Sequence, residues 1–431
     1  MYKTIVAAFF ILFMFGCSST TQQVPKPNVK VFEQEDTYIL FALRAEEVKN
    51  YKVAAELFLQ LYEKAHKKEY LYRGIQNLLL AQEYTKALDK ITILKEEGET
   101  GTTLTRFEAI ALFEKGQLQE AELLAKQLAK KTKNPDDYIL TSDILIKEGK
   151  NDLALKYLES AYMQEYNEKI LDKMAMILYV NLHRKKDAIA ELESHVEIHG
   201  CSTLTCKALL RIYSNENDVD GLLKTYKRIY AINGNKEIAK KIIQIYVYKR
   251  EFVQLMSFLE NSGANDKVLL ELYRTAKNYK KAYRLSLEIY KKTKNPEYLG
   301  QAAIYEYEAY KDNLSREILD DVIEKLTKVV SLTHEPLYTN YLGYILIDHE
   351  IDINKGIEYI KDVLKMQPDS AYYLDSLAWG YYKLGKCKEA YTIMKKLENL
   401  KGGDDPEVLK HKQEIQKCIQ NPHHKKVVQK R

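Results

Sequence analysis

The five cysteines of this 431-residue chain are the residues whose chemistry can be placed most directly from their positions. Cys17 ends an apolar run, whereas Cys201, Cys206, Cys387 and Cys418 lie in the remainder of the chain. A thiol can be lipidated, pair as a disulfide or bind a metal. A metal site is the poorer alternative for Cys201 with Cys206 and for Cys387 with Cys418. An even number of cysteines besides Cys17 favours disulfides in an exported protein, with free buried thiols as the alternative.

Motifs of the common catalytic sites are missing from the sequence. It contains no G-x-x-x-x-G-K-[ST], no G-x-G-x-x-G after a strand, no H-E-x-x-H and no C-x-x-C. The 66 basic and 61 acidic residues are mixed and give a net charge of +5, unlike the charge pattern of a nucleic-acid-binding protein. We therefore expect no enzyme, no metal, no nucleic acid and no small-molecule substrate.

The first residues indicate an export signal. Lys3 precedes an apolar run of 11 residues, 5–15. This run is too short for a membrane-spanning helix, which needs roughly 20 residues, but is typical of a signal-peptide core. The run leads into Gly16-Cys17, which resembles the lipobox of bacterial lipoproteins, although Met14 and Phe15 depart from its usual residues. A buried N-terminal helix that ends at a chance Gly-Cys is the alternative.

The lipobox resemblance implies a location as well as a modification. It makes residues 1–16 a signal peptide and Cys17 the site of a covalent lipid, which is the only cofactor expected. Ser18 resembles the sorting residue of lipoproteins sent to the outer membrane. Residues 17–34 are polar, contain two prolines and predict a flexible tether. We expect a protein anchored at the periplasmic face of the outer membrane.

Small residues, turn glycines and aromatic residues recur at intervals near 34 residues. The clearest copy contains Leu377, Ala378, Gly385, Ala390 and Met394. This pattern resembles the tetratricopeptide repeat (TPR), whose close-packing position 8 would fall at Ala42, Ile75, Ala109, Ser142, Met176, Leu210, Ile243, Leu270, Ala302, Gly343 and Ala378. The first four and last two copies match well, whereas the middle copies are degenerate.

The resemblance implies an all-α fold, a TPR-like right-handed α-solenoid of antiparallel helix pairs. The array would cover residues 35–402 in about eleven repeats, strongest at 35–165 and 336–400. Residues 403–420 would form a C-terminal capping helix. The basic tail, 421–431, is either a solvated disordered terminus or a contact for an anionic partner.

The repeat positions suggest how the cysteines pair. Cys387 would begin the second helix of the last repeat, and Cys418 would end the capping helix that runs antiparallel to it. We therefore expect a Cys387–Cys418 disulfide. Cys201 and Cys206 flank a predicted helix start and are possible partners in a short local loop.

Positions 2, 5, 9 and 12 of the first helix line the concave face of a TPR. In the last two copies these positions place an aromatic strip on that face, and tyrosine and tryptophan are frequent binding hot spots. The candidate partner-binding residues are Asn340, Tyr344, Tyr372, Asp375, Trp379 and Tyr382. Packing between neighbouring helices is the alternative role for Trp379 and Tyr344.

Residues 337–400 also resemble the C-terminal repeats of proteobacterial TPR lipoproteins, some of which deliver substrates to a carboxyl-terminal processing protease. The resemblance implies a periplasmic scaffold or adaptor that binds envelope proteins. A structural part of an envelope machine, such as the flagellar motor or a secretion or pilus apparatus, is one alternative. An outer-membrane protein assembly factor is another.

Overall fold

The structure, a computed structural model, describes residues 30–397 and 400–420. The predicted signal peptide, the lipidation residue Cys17, most of the tether and the basic tail lie outside these residues. Within the described residues, no helix is both long enough and apolar enough to cross a membrane.

Helices account for all the regular secondary structure of the described residues, and twenty-two of them form eleven consecutive pairs. The first, or A, helices of the pairs are α1 (Glu35–Glu47), α3 (Lys68–Leu80), α5 (Thr102–Glu114), α7 (Pro135–Lys147), α9 (Glu168–Met176), α11 (Thr203–Asn215), α13 (Lys236–Lys249), α15 (Asp266–Thr275), α17 (Pro296–Tyr310), α19 (Pro336–Asp348) and α21 (Ala371–Lys383). The second, or B, helices are α2 (Tyr51–Ala65), α4 (Tyr84–Glu96), α6 (Leu118–Thr132), α8 (Asn151–Glu165), α10 (Lys185–His199), α12 (Val219–Asn233), α14 (Phe252–Ser262), α16 (Tyr279–Thr293), α18 (Arg316–Thr333), α20 (Ile353–Met366) and α22 (Cys387–Leu397). A final helix, α23 (Pro406–Gln420), follows the last pair.

Two short segments interrupt this regularity. A π-helical turn, Ile177–Asn181, continues α9, and a 3₁₀ turn, Lys311–Asn313, follows α17. The predicted all-α fold of TPR-like helix pairs is confirmed. The described residues divide into two compact units, an N-terminal and a C-terminal one, with the boundary between Thr225 and Tyr226 inside α12.

In most pairs the turn between the two helices contains a residue in the left-handed region, which explains the glycines of the repeat pattern. Gly116, Gly149 and Gly385 have φ angles of 78°, 78° and 77°. Gln82 and Lys277 take the same place in other pairs, with φ angles of 61° and 53°. This conformation costs a non-glycine residue about 1 kcal/mol, which the packing of two helices can offset. Glycine therefore does not mark every repeat.

The predicted close-packing position is fully buried in the strong copies, for example at Ala109 and Ala378. In three middle copies the expected residues, Met176, Leu210 and Ile243, are only partly buried. The fully buried residues there lie one position earlier, at Ala175, Leu209 and Ile242. Both members of each adjacent pair are apolar, so the sequence does not show which of them faces the neighbouring helix. Because successive residues are rotated by about 100° around a helix, a shift of one position changes which side chain faces the neighbouring helix.

A close approach of two helices in the C-terminal unit depends on glycine. A Cβ atom on Gly343 of α19 would lie 2.9 Å from the carbonyl oxygen of Gly356 and 2.7 Å from Cδ1 of Ile360, both on α20. A Cβ atom on Gly356 would lie 2.6 Å from the carbonyl oxygen of Gly343. The two backbones thus meet where neither residue has a side chain, which holds α19 and its neighbours close together.

Candidate functional site

A pocket of about 520 Å³ lies between α17, α19, α21 and the beginning of α23, and we call it the C-terminal pocket. Its aromatic lining consists of Tyr307, Tyr341, Tyr344, Tyr372 and Tyr373. Its charged lining residues are Glu308, Lys311, Asp375, Asp405 and Glu407. Each tyrosine offers an apolar ring face and a polar hydroxyl, which suits a site that receives part of another chain.

Four of the six predicted partner-binding residues line this pocket: Asn340, Tyr344, Tyr372 and Asp375. They come together because positions three or four apart on one helix share a face, and neighbouring A helices place those faces side by side. Tyr372 is the most accessible of the four, with 55% of its surface exposed. The other two predicted residues are not among those that line the pocket.

Trp379 and Tyr382 are buried, in contrast to the expectation that they face a partner. The ring of His411 on α23 stacks on Trp379 with centroids 4.0 Å apart, and Tyr382 stacks with Trp379 at 4.7 Å. The indole Nε1 donates a hydrogen bond to Oδ1 of Asp348 at 2.8 Å. Helix α23 packs on α21 and α22 as the first helix of a further pair would, so it covers Trp379.

Asp375 has one oxygen bound within the protein and one without a partner. Its Oδ2 lies 2.8 Å from Nδ1 of His411 in a hydrogen bond between α21 and α23. Its Oδ1 is buried and has no hydrogen-bond partner among the described residues. Burial raises the pKa of Asp375 above its usual range, and the hydrogen bond with His411 only partly offsets this. A carboxylate in this position is costly to leave unpaired.

Asn340 and Tyr344 extend the polar part of the pocket along α19. The side-chain oxygen of Asn340 is buried and also has no partner among the described residues. The hydroxyl of Tyr344 donates to Oε1 of Glu407 at 2.6 Å, which ties α19 to α23. Burial, followed by the charges of Asp348 and Glu407, raises the pKa of Tyr344 well above its usual range, so the hydroxyl remains a donor.

Negative charge predominates in the pocket, which has four carboxylates and one lysine. Lys311 is held by Glu308, with Nζ 2.9 Å from Oε2, and this hydrogen bond raises the pKa of Lys311. Oδ1 of Asp405 accepts from the backbone N–H of Glu407 at the start of α23. Among the described residues, no group of three or more His, Cys, Asp or Glu is arranged to hold a metal ion.

The structure contains a disulfide between Cys387 and Cys418, which joins the start of α22 to the end of α23. The two Cα atoms are 5.9 Å apart, within the normal span of a disulfide. Val408 and Ile415 of α23 are buried in the same core as Met394 of α22. Apolar packing and one covalent link therefore hold α23 over α21.

A second disulfide, Cys201–Cys206, lies at the start of α11, with Cα atoms 5.6 Å apart. Between the two cysteines, Ser202 and Thr205 form a capping box in which each side chain accepts from the other residue's backbone N–H. This cross-link stabilises a helix start in the N-terminal unit and lies outside the C-terminal pocket.

The pocket residues that sequence reasoning missed include Glu407 of α23, Tyr307 and Glu308 of α17, and Lys311 of the 3₁₀ turn after α17. His411, which contacts Asp375, was also missed. A signal was available, because Glu407 and His411 are four residues apart and therefore share a face of α23. The repeat pattern gives no register for a helix that has no B partner.

No protein-family model matches this chain. A TPR repeat-containing protein of Methanocaldococcus jannaschii, MJ1428, is 21% identical in an alignment of 381 positions, which covers 79% of this chain and 65% of that protein. The chain thus spans less than two thirds of that relative's length.

Among solved structures, the APC/C hetero-tetramer Cut9–Hcn1 aligns with 89% of this chain and 97% of its own, at 10% identity and a TM-score of 0.38. A thermophilic TPR protein of Thermus thermophilus, TTC0263, aligns with 42% of this chain and 97% of its own, at 18% identity and a TM-score of 0.32. Likenesses with TM-scores this low support no argument about function. By its helix pairs and its sequence relative, this chain has a TPR-like repeat fold.

Proposed function

We propose that this chain is a non-catalytic scaffold that binds a segment of a partner protein in the C-terminal pocket. The observation that carries the proposal is the pocket itself, where aromatic faces surround the unpartnered oxygens of Asn340 and Asp375. Buried polar groups are normally hydrogen-bonded, so two unsatisfied acceptors in one pocket favour an external donor. Stacked helix pairs are the kind of rigid support on which repeat proteins present such surfaces.

The proposal places this scaffold at the periplasmic face of the outer membrane. The support is the lipobox-like Gly16-Cys17, which lies outside the described residues, with Ser18 after it. Three acyl chains on Cys17 exceed what reversible one-chain anchoring needs, so attachment would be stable. Two disulfides are also suited to an oxidising compartment such as the periplasm.

Within this setting we favour an adaptor that recruits other proteins, for example substrates of a processing protease, over a permanent part of an envelope machine. The preference rests on the resemblance of residues 337–400 to TPR lipoproteins that deliver substrates to such a protease. A deletion strain separates these roles, because loss of an adaptor stabilises its substrates, whereas loss of a motor part abolishes motility.

The binding site can be tested by photo-crosslinking in cells. A photoreactive phenylalanine analogue at Tyr372, the exposed residue of the pocket, should crosslink to a discrete envelope protein. The matched control is Tyr248, which is 76% exposed in the same unit and does not line the pocket. Equal products at both positions, or none at Tyr372, would contradict the proposal.

The anchor can be tested separately. The Cys17→Ala variant should move from the membrane fraction to the soluble periplasmic fraction and lose metabolic labelling with palmitate. A variant that remains fully membrane-bound would rule out lipid anchoring while leaving the crosslinking result intact.

A further inference from the structure

The two unpartnered acceptors of the C-terminal pocket lie in its buried part and not at its exposed rim. Asp375 is 6% exposed and Asn340 is 9% exposed, and both line the pocket. Each leaves its Oδ1 atom without a hydrogen-bond partner in the part of the chain that the structure describes. A ligand that satisfies both atoms must bring hydrogen-bond donors into the pocket.

The charge of the lining narrows the chemistry of that donor. The single lysine of the lining, Lys311, is hydrogen-bonded to Glu308. His411 is hydrogen-bonded to Oδ2 of Asp375 and leaves Oδ1 free. Glu407 lies at the rim and accepts from Tyr344. No lysine or arginine of the lining therefore compensates Asp375, and a cationic donor is favoured over a neutral one.

Besides the unpartnered acceptors and the negative charge, the tyrosines of the pocket also favour a cationic ligand. Tyr307 is buried, Tyr341 is partly buried, and Tyr372 is exposed at the opening of the pocket. Aromatic faces attract ammonium and guanidinium groups and also pack against the methylene stem of a lysine or arginine side chain. An anionic ligand would be repelled, because four carboxylates line the pocket.

We propose that the C-terminal pocket binds a lysine or arginine side chain of a polypeptide, whose charged head donates to Asp375 and Asn340 and whose stem lies against the tyrosines. This rests on the proposed function and names the chemistry that the binding site recognises. The proposed source of that side chain is a partner protein, and the basic tail of this chain, which contains Lys425, Lys426 and Lys430, is the alternative occupant that the test must exclude. The tail begins directly after α23.

The test uses the purified full chain and short acetylated, amidated peptides of the form Gly-Ser-X-Ser-Gly. X is lysine, arginine, Nε-acetyl-lysine or glutamate. The chain has one tryptophan, Trp379, which stacks on the histidine bound to Asp375, so its fluorescence reports on the pocket. Lysine and arginine peptides should give saturable changes, and acetylation should weaken binding by about tenfold or more, as for loss of a charged hydrogen bond.

Variants locate the binding. Asp375→Asn should weaken the lysine peptide by about tenfold or more. Glu407→Gln keeps an acceptor for Tyr344 and should weaken it by a few-fold, with a smaller salt dependence than in the wild type. The matched control is Asp362→Asn on α20, an exposed carboxylate outside the pocket lining, which should leave affinity unchanged. Thermal unfolding followed by circular dichroism verifies that each variant is folded.

A chain truncated after Gln420 distinguishes the two sources. Equal peptide binding by the truncated and full chains supports a partner protein as the source, whereas tighter binding by the truncated chain would show that the tail occupies the pocket and would overturn that source. The proposal is overturned if the acetyl-lysine peptide binds as well as the lysine peptide, if folded Glu407→Gln and Asp375→Asn both bind normally, or if neither chain responds. A Tyr372 crosslink that persists in Asp375→Asn would support partner binding in the pocket but contradict recognition of a cationic side chain. Binding of the lysine peptide without any crosslinked partner would support recognition of the cationic side chain but contradict the proposed function.

Discussion

The imidazole ring of His411 lies face to face with the indole ring of Trp379, with centroids 4.0 Å apart and planes inclined by 16°. A residue of the terminal helix thus occupies the surface of Trp379 on which a partner was expected. The same histidine is hydrogen-bonded to Asp375, so one side chain both covers the tryptophan and shapes the C-terminal pocket. The position of α23 therefore determines which part of the A-helix face remains open.

Loss of the Cys387–Cys418 disulfide should loosen α23 and expose Trp379. The cross-link closes a loop with a sequence separation of 31. A loop of this length is worth about 3–4 kcal/mol in the chain-entropy treatment. In the Cys387→Ser/Cys418→Ser variant we expect red-shifted tryptophan emission that is more readily quenched by acrylamide. The Cys201→Ser/Cys206→Ser variant is the control, and identical emission in all three proteins would contradict the covering role of α23.

Thiol counting checks whether both cross-links form in cells. When Cys17 is lipidated, the protein purified from cells without reductant should show no reactive thiol after denaturation and four after reduction. Four reactive thiols in the unreduced, denatured protein would exclude both disulfides. Two would leave one pair, which mass spectrometry of the peptides identifies.

Glu35, at the start of α1, should make stability depend on pH. Burial raises the pKa of Glu35, but hydrogen bonds from Lys67, Tyr70 and the backbone of Val31 outweigh it and lower the pKa from 4.5 to about 2. Because the folded-state pKa is depressed, the stabilisation is present above pH 4.5 and is lost as the pH falls towards 2. It amounts to about 3 kcal/mol at neutral pH. The unfolding free energies of wild type and Glu35→Gln should differ at pH 7 and converge near pH 2. The control variant Glu69→Gln should have nearly the unfolding free energy of the wild type at both pH values.

Gly343→Ala should destabilise the C-terminal unit. The new Cβ atom would meet the backbone oxygen of Gly356, which cannot move without separating α19 from α20. We expect a loss of about 1–3 kcal/mol, as for other overpacked cores. Gly74→Ala is the comparison, because its Cβ atom would meet the flexible end of Leu59 at 2.8 Å. A gain in helix propensity of about 1 kcal/mol should make that change nearly neutral. Equal effects in urea denaturation would contradict the argument.

Arg106→Ala should destabilise the N-terminal unit far more than removal of an exposed ion pair. Asp137 is fully buried and accepts from Nε and Nη2 of Arg106 at 2.6 and 2.9 Å, which links α5 to α7. Removal of the guanidinium leaves a buried carboxylate with only the hydroxyl of Thr132, at an expected cost of about 3–5 kcal/mol. Arg44→Ala, which breaks an exposed pair with Glu47, should cost less than about 1 kcal/mol. Denaturant unfolding of both variants measures the difference.

Much of the fold could be predicted because the information in a helix pair is local. Residues of one TPR-like pair lie within about 34 positions of each other, and a small residue such as Ala109 or Ala378 marks where its two helices meet. The predicted close-packing position was one residue too late at Met176, Leu210 and Ile243, where two adjacent apolar side chains fit either face of the helix. Contacts with neighbouring helices decide such cases.

The sequence by itself determined that the chain consists of helix pairs and that Asn340, Tyr344, Tyr372 and Asp375 share the A-helix side of the last two, because helical spacing and repeat register are encoded over short distances. The tertiary structure alone decided that α23 covers Trp379 and that Asp375 retains an oxygen without a partner. Those outcomes depend on His411, 36 residues after Asp375, in a helix outside the repeat register. Its position follows from packing on α21 and α22, to which many side chains contribute together and which no short pattern records.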